Sequence, residues 1–373
     1  MNELQRVREL YDDPAPPSAE TAAAARTRML SQDGHAGPRP RRTWRVPLGL
    51  LAAATAAAVV AGVTLVQHDS VRSRTGVQAV PRAPSPRDMM LAAAAQAELQ
   101  PQGRYWYTHQ RHAFATRALG RTGGYVVEER HEYFTWTGRA RGDGGSFYGR
   151  FFAGRPQTGA DTDAWRAAGS PSSWTVGSSG ASRTVRTKSG AWREDSPGYR
   201  KGGAFLISGV GQFTYQELQE LPADPGELRR LLCEGSVKFI GGGSGAPRRC
   251  DDAAQVLSRA FFVLVDTPVP PKVRAGLMRL ITDYPGVRRL GAVTDPLGRP
   301  AVSLAASFGS ADGRGTIQRE VLFDRQAGKV LGSRDTQLVP GPDSETWQVP
   351  GRVLNYRAVL DVGWSDAKPA LPD

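Results

Sequence analysis

The chain has 373 residues, a net charge of +12, two cysteines and five histidines. Only six of its 48 basic residues are lysine and asparagine occurs twice, which is typical of codon bias, so the positive charge alone does not indicate a nucleic-acid partner. The cysteines and histidines lack the spacing of a zinc signature, and the glycine-rich segments lack the signatures of nucleotide-binding loops.

Residues 1–45 form a polar leader that we expect to be partly helical or disordered. Short helices are predicted over 2–11 and 18–31, on either side of a proline-rich break. The first would present an apolar stripe to a partner helix. This stripe consists of Leu4, Val7, Leu10 and Tyr11. The alternative is a disordered leader whose only role is to set membrane topology.

Residues 46–66 are predicted to form a transmembrane helix. No charge occurs among these 21 residues, and a bilayer-spanning helix needs about 20 apolar residues. A signal peptide would start nearer the N-terminus and be shorter; cleavage here, or a buried core helix, are the alternatives. Six arginines lie in 26–45 and three in 67–86. The positive-inside rule therefore predicts a single-pass plasma-membrane protein with its N-terminus in the cytoplasm.

Beyond the predicted membrane helix, residues 67–84 are expected to form a linker and residues 85–365 an extracytoplasmic domain, followed by a tail over 366–373. Within this domain, residues 155–200 are poor in aliphatic residues and rich in serine, glycine and threonine. That composition predicts a loop-rich insertion.

The order of elements within the domain indicates its architecture. A helix is predicted after Ser85, and aromatic, β-prone runs up to residue 154 predict antiparallel strands. Helices are predicted between 214 and 281, and strict alternation over 301–308 marks a return to half-buried strands. We therefore predict an α+β fold, a curved antiparallel sheet with helices packed on one face, preceded by a single transmembrane helix.

The only two cysteines, Cys233 and Cys250, both follow the predicted membrane helix. Oxidising conditions outside the cytoplasm let disulfides persist, so we expect these residues to pair. A metal site is the alternative, but it would need two more soft ligands nearby, and no histidine follows residue 131.

A search for catalytic motifs finds no complete constellation. Ser146 lies among glycines but lacks the G-x-S-x-G spacing, and Lys188 with Ser189 lacks the companion motifs of penicillin-recognising enzymes. His109 and His112 would point to opposite faces of one strand, so they cannot hold one metal ion together. We expect no enzyme activity and no cofactor.

Aromatic residues are concentrated between residues 105 and 152. On a curved sheet they could line a hydrophobic groove for a ligand, and core packing is the alternative. Because neighbouring residues on a strand point to opposite faces, only about half of these rings can share one cavity. The candidate groove residues are Tyr105, Tyr107, Tyr133 and Phe147.

The order of several segments resembles a family of actinobacterial single-pass membrane proteins. The resemblance rests on NELQRVRELYDDPAPPS, the apolar span, LAAAAQAELQPQGRYWYTHQ and, most strongly, residues 266–332. Genes of that family often lie beside those of extracytoplasmic-function sigma factors, which implies that the leader contacts a sigma factor. The leader departs from zinc-type anti-sigma domains, because it has no cysteine and only one histidine, His35.

The helices and strands around residues 266–332 are also similar, more distantly, to lipoprotein-carrier and RseB-like periplasmic sensors. That resemblance implies a half-barrel-like sheet whose aromatic groove holds a lipid or lipopeptide.

Two functions are consistent with these expectations. The first is a non-catalytic extracytoplasmic sensing or ligand-binding domain that regulates a sigma factor through the cytoplasmic leader. The alternative is a membrane-tethered lipid- or lipoprotein-binding carrier with no signalling role. The expected partners are the bilayer at residues 46–66, a sigma factor at the leader, and a lipid or envelope ligand at the domain, with no nucleic acid.

Overall fold

The computed structural model describes residues 84–373 except 120–123, 141, 179–180, 195–203, 208, 239–243, 248 and 326. The predicted partner stripe of Leu4, Val7, Leu10 and Tyr11 and the predicted transmembrane helix over 46–66 lie outside the described residues. Among those that are described, no helix combines the length and apolarity needed to cross a bilayer.

Helix α1 (Pro86–Glu98) begins where the sequence predicts a helix start. The Ser85 hydroxyl accepts a hydrogen bond from the Asp88 N–H, and the Asp88 carboxylate accepts one from the Ser85 N–H. Three long strands follow: β1 (Tyr105–Leu119), β2 (Val126–Gly138) and β3 (Gly145–Pro156).

The segment predicted to be a loop-rich insertion contains regular structure. Its elements are α2 (Gly159–Ala167), β4 (Ser173–Ser178), β5 (Ala181–Arg186) and β6 (Arg193–Glu194). Trp174, Val176 and Val185 of the β4–β5 hairpin form a small core with Tyr125 and Val127. The sequence does not predict these elements, because a hairpin that covers an existing sheet needs only a few apolar side chains.

Helices dominate the middle of the domain, and strands return at its end. The middle elements are β7 (Ala204–Ile207), β8 (Gly211–Thr214), α3 (Tyr215–Gln219), α4 (Pro225–Cys233), β9 (Ser236–Lys238), β10 (Ser244–Pro247), α5 (Ala253–Asp266) and α6 (Pro271–Asp283). The final strands are β11 (Arg288–Thr294), β12 (Pro300–Gly309), β13 (Gly315–Asp324), β14 (Val330–Pro340) and β15 (Val353–Ser365).

The main antiparallel sheet has the strand order β11-β12-β13-β14-β15-β1-β2-β3-β6, with the β4–β5 hairpin paired to the end of β1. Pairing of β15 with β1 joins the early and late strands into one sheet. The register shifts at His109/Gln110 and at Asp335/Thr336, and such bulges bend strands. A second, smaller sheet has the order β10-β9-β8-β7. The α+β prediction with a large antiparallel sheet is confirmed.

One face of the main sheet packs against helices, and we call it the helix face. Leu257, Phe261 and Leu264 of α5 share a core with sheet residues such as Leu304 and Phe323, all at most 2% exposed. We call the opposite face of the sheet the far face. Burial of these large apolar side chains holds α5 at a fixed place over the sheet.

Cys233 at the end of α4 and Cys250 just before α5 form a disulfide. The bond closes a loop with a sequence separation of 17 residues. In the chain-entropy model such a cross-link stabilises the fold by about 3 kcal/mol, because it restricts the unfolded chain.

We expect the Cys233→Ser/Cys250→Ser double variant to lose about 3 kcal/mol of unfolding free energy. Urea titration of oxidised wild type, reduced wild type and the double variant measures this change. Equal stability of all three forms would contradict the expectation.

Candidate functional site

A cavity of about 580 Å³ lies on the helix face of the main sheet. Its floor comes from strands β1, β2, β3 and β15, and its roof from α5 and β7. The residues that line it are Trp106, Thr108, Gln110, His112, Tyr133, Thr135, Thr137, Phe147, Phe205, Leu206, Phe262, Asp266 and Arg357. Its volume falls within the range of small-molecule sites, about 300–1,000 Å³.

Strand alternation explains why these particular side chains meet. On β1 every second residue from Trp106 to His112 points to the helix face. Antiparallel register then places Thr135 opposite Thr108, and Phe147 opposite Thr135. The cavity floor is therefore a set of cross-strand neighbours, which a one-residue slip would turn to the other face.

The walls of the cavity differ in polarity. Phe205, Leu206 and Phe262 provide apolar surface from the roof, and Leu206 is 60% exposed, so the cavity reaches solvent at its rim. On the floor, the hydroxyls of Thr135 and Thr137 make no hydrogen bond with other groups in the described part of the chain. Thr137 is only 6% exposed. These hydroxyls are available to an occupant of the cavity.

A hydrogen-bonded cluster lies at the His112 end of the cavity. Arg357 Nη2 donates to Asp266 Oδ2 at 2.9 Å and to Gln110 Oε1 at 2.7 Å. Gln110 Nε2 donates to Asp266 Oδ1 at 2.6 Å. The Arg357 guanidinium also lies 4.6 Å from the centre of the Phe262 ring. These hydrogen bonds connect strands β1 and β15 to helix α5 at one point. Because the Asp266 and Arg357 charges are paired, this end of the cavity has little net charge.

His112 is a neutral acceptor in this cluster. Arg357 Nε donates to His112 Nε2 at 3.1 Å. Burial, and secondarily the positive charge of Arg357, lowers the pKa of His112 to about 3. A histidine held neutral in this way is a structural acceptor, and it is poorly suited to take up a proton during catalysis near pH 7.

The depressed pKa of His112 predicts acid sensitivity. The unfolded chain binds a proton near the ordinary pKa of 6.5, whereas the folded chain does so only near pH 3. Between these values stability falls as the pH falls, by up to about 1.4 kcal/mol per pH unit. Urea unfolding between pH 7 and pH 4 should show that the unfolding free energy of His112→Gln falls less steeply than that of the wild type. Parallel curves for the two proteins would contradict the assignment.

Arg274 of α6 lies at the Trp106 end of the cavity, and it has no ion partner in the described part of the chain. Its guanidinium is 5.1 Å from the centre of the Trp106 ring, and its Nη1 is buried without a hydrogen bond among the described residues. Burial lowers the pKa of Arg274 to about 10. The Trp106 Nε1 atom is likewise buried and unpaired within that part of the chain.

Replacing Arg274 by methionine is expected to leave stability unchanged or raise it by about 1–2 kcal/mol, since an unpaired buried charge is removed. Arg279→Met is the matched control on the same helix. Arg279 pairs with Glu98 at 2.7 Å near the surface, so its loss should change stability by less than about 1 kcal/mol. Denaturant unfolding compares the two, and a loss above about 2 kcal/mol for Arg274→Met alone would refute the expectation.

The four candidate groove residues are divided between the two faces of the sheet. Tyr133 and Phe147 line the cavity. Tyr105 and Tyr107 belong to a cluster on the far face with Phe134. Tyr105 and Tyr107 do not line the helix-face cavity, because Tyr105 packs against Trp136 and Tyr107 against Phe134 on the far face.

Several cavity residues were not identified from the sequence. Trp106, Thr108, Gln110 and His112 are spaced two residues apart along β1. This spacing could have shown from the sequence that their side chains share one face of the sheet. Asp266 and Arg357 carry no local signal, because they are 91 residues apart and meet only in the folded chain.

No protein-family model and no curated protein matches this chain. The solved structures that resemble it include MucB in complex with MucA(peri), at 11% identity and a TM-score of 0.22, and the MucA/MucB complex of Pseudomonas aeruginosa, at 15% identity and a TM-score of 0.23. Each alignment covers 76% of this chain but 58% of the other, so this chain matches less than two thirds of those neighbours.

An outer membrane lipoprotein-sorting protein domain from Vibrio parahaemolyticus aligns at 10% identity and a TM-score of 0.18, covering 75% of this chain and 93% of that domain. TM-scores this far below 0.5 do not place the chain in a family.

Proposed function

We propose that the domain is a non-catalytic binding module that holds a neutral amphiphile in the helix-face cavity. The observation that carries this proposal is the division of the cavity into an apolar roof and a hydroxyl-bearing floor. We further propose that the domain lies outside the plasma membrane and that the cytoplasmic leader relays its ligand state to a sigma factor.

The unpaired hydroxyls argue against a bare hydrocarbon as the occupant. Covering Thr135 and Thr137 with an apolar chain would leave two polar groups without partners, at a cost of about 1–3 kcal/mol each. A molecule with hydroxyl or amide groups along one edge would satisfy them. Its apolar body would then contact Phe147, Phe205 and Phe262.

Charge pairing argues for a neutral polar edge. The two charged residues of the lining, Asp266 and Arg357, neutralise one another. Arg274 lies against the Trp106 ring and is not itself part of the lining, so the lining offers no uncompensated charge to an ionic headgroup. An ionic ligand would lose hydration on entry without gaining a partner.

Three matched probes test this proposal with the full-length protein: monooleoylglycerol, oleate and hexadecane. Isothermal titration should show the glyceride binding about tenfold or more tightly than either of the others. Mass spectrometry of organic extracts from the purified protein should identify a neutral hydroxyl- or amide-bearing molecule. Equal affinity for the three probes, or no binding at all, would overturn the proposal.

The signalling part of the proposal is tested separately. Residues 1–45 fused to an inert carrier should retain an extracytoplasmic-function sigma factor of the same organism. Leu4→Asp/Leu10→Asp, which would place charges on the predicted stripe, should abolish retention, whereas Gln5→Asp should not. Failure to retain the sigma factor would leave the carrier function, with an inert leader, as the better account.

A further inference from the structure

The far face of the sheet carries an aromatic cluster separate from the helix-face cavity. Its buried members Phe134 and Trp136 are 3% and 4% exposed. Tyr105 packs edge-on against Trp136 at 5.7 Å, and Tyr107 lies 6.5 Å from Phe134. Trp192 packs against the same cluster. We call this cluster the far-face groove.

Residues 366–373 run across this groove after β15 ends. Pro369, Ala370 and Pro372 line a cavity of about 350 Å³ together with Tyr107, His109 and Phe134. The Lys368 ammonium lies 4.6 Å from the centre of the Trp136 ring. Farther along, Arg150 Nη2 donates to the backbone carbonyl of Asp373 at 2.9 Å. The segment is therefore anchored at both of its ends.

Burial along the segment has a period of three residues. Pro369 and Pro372 are half-buried, whereas Lys368, Ala370 and Leu371 are exposed. A polyproline II helix has three residues per turn, so residues i and i+3 lie on one side. Aromatic grooves recognise P-x-x-P segments in this way, because the extended helix is preformed and loses little entropy on binding.

The groove holds polar atoms that this segment does not satisfy. His109 Nε2 and Trp192 Nε1 are buried without hydrogen-bond partners among the described residues. Carbonyl oxygens of another peptide could accept from the Trp192 N–H. The intramolecular segment is thus an incomplete ligand, which a better-matched peptide could displace.

We propose that the far-face groove is a recognition site for peptides with a basic residue followed by P-x-x-P, and that residues 366–373 occupy it intramolecularly. The basic residue lies over the Trp136 ring, and the two prolines pack against the rings of Tyr107 and Phe134. An external peptide competes with the chain's own segment for these positions. The proposal does not depend on the ligand of the helix-face cavity.

The test uses the full chain and a variant that lacks residues 366–373, with the peptide DAKPALPD as probe. Titration should show binding to the shortened chain that is about tenfold or more tighter than to the full chain, whose groove is filled. Pro369→Ala/Pro372→Ala in the peptide should weaken binding about tenfold, whereas Leu371→Ala, at an exposed position, should change it by less than about twofold. No binding to a folded shortened chain, or equal losses for both peptide variants, would overturn the proposal.

A second measurement applies if the shortened chain does not fold. In the full chain, Pro369→Ala/Pro372→Ala should lower the NMR backbone order parameters of Ala370 and Asp373 to below about 0.6, because the docked state is lost. Leu371→Ala should leave these order parameters at their wild-type values. Unchanged order parameters in the double-proline variant would refute docking through the prolines.

Discussion

Thr135→Trp is expected to abolish ligand binding in the helix-face cavity while leaving the fold intact. Thr135 lies on the cavity floor between Thr108 and Phe147. The new indole would extend into a space of about 580 Å³ that is otherwise open to the ligand. Because it enters existing space and does not overpack the core, stability should change by less than about 1.5 kcal/mol.

The matched control for this variant is Thr184→Trp, an exposed strand position on β5. Titration with monooleoylglycerol should show at least about a tenfold loss of affinity for Thr135→Trp and none for Thr184→Trp. Wild-type affinity in a folded Thr135→Trp protein would exclude the cavity as the binding site. An equal loss in both variants would show that the effect is not specific to the cavity.

Arg357→Met is expected to lower the unfolding free energy by about 2–3 kcal/mol, because the Arg357–Asp266 pair is largely but not fully buried, with side chains 18% and 29% exposed. The variant keeps much of the side-chain volume but leaves the Asp266 carboxylate without its ion partner and His112 Nε2 without a donor. It also removes the guanidinium from the Phe262 ring. Three elements lose their shared contact at once.

A double variant separates the cost of the unpaired charge from the value of the ion pair. Arg357→Met/Asp266→Leu should be more stable than Arg357→Met, because no carboxylate is then left unpaired. Arg166→Met is the control, since its pair with Asp163 is exposed on both sides and should contribute less than about 1 kcal/mol. Urea titration of the wild type and the three variants measures each unfolding free energy. A double variant less stable than Arg357→Met would contradict this explanation.

Local signals in the sequence were sufficient for the starts of α1 and α3 and for the strand class, although the start of α2 was not predicted. Ser85 with Asp88, and Thr214 with Glu217, form the capping boxes that their spacing predicts. These interactions lie within one turn, so no tertiary information is needed to recognise them. The same holds for the period-two pattern of β12.

The faces of the strands could be separated from the sequence but not assigned. Alternation places Val302 and Leu304 together, yet Ser303 and Ala305 on the other side are also buried, at 1% and 0% exposure. Ser303 donates a hydrogen bond to Glu320 on that far side. Periodicity divides a strand into two sets, and only the packing of distant elements decides which set meets α5.

The cluster around Arg357 could not be predicted for a related reason. Gln110 and Asp266 are separated by 156 residues and Gln110 and Arg357 by 247. No spacing rule connects positions that meet only through the β1–β15 pairing. The far-face groove could not be predicted from the sequence for the same reason. Pro369 and Pro372 become half-buried only because the fold places residues 366–373 against β1 and β2.

Site-specific photocrosslinking tests most directly whether the helix-face cavity holds the ligand. p-Benzoylphenylalanine would replace Leu206 at the cavity rim or, as the control, Leu119, which is 50% exposed at the end of β1. After irradiation with bound monooleoylglycerol, we expect the intact mass to increase by one ligand at position 206 and to stay unchanged at position 119. A ligand adduct at 119, or none at 206 in protein shown to bind the glyceride, would contradict a binding site between α5 and the sheet.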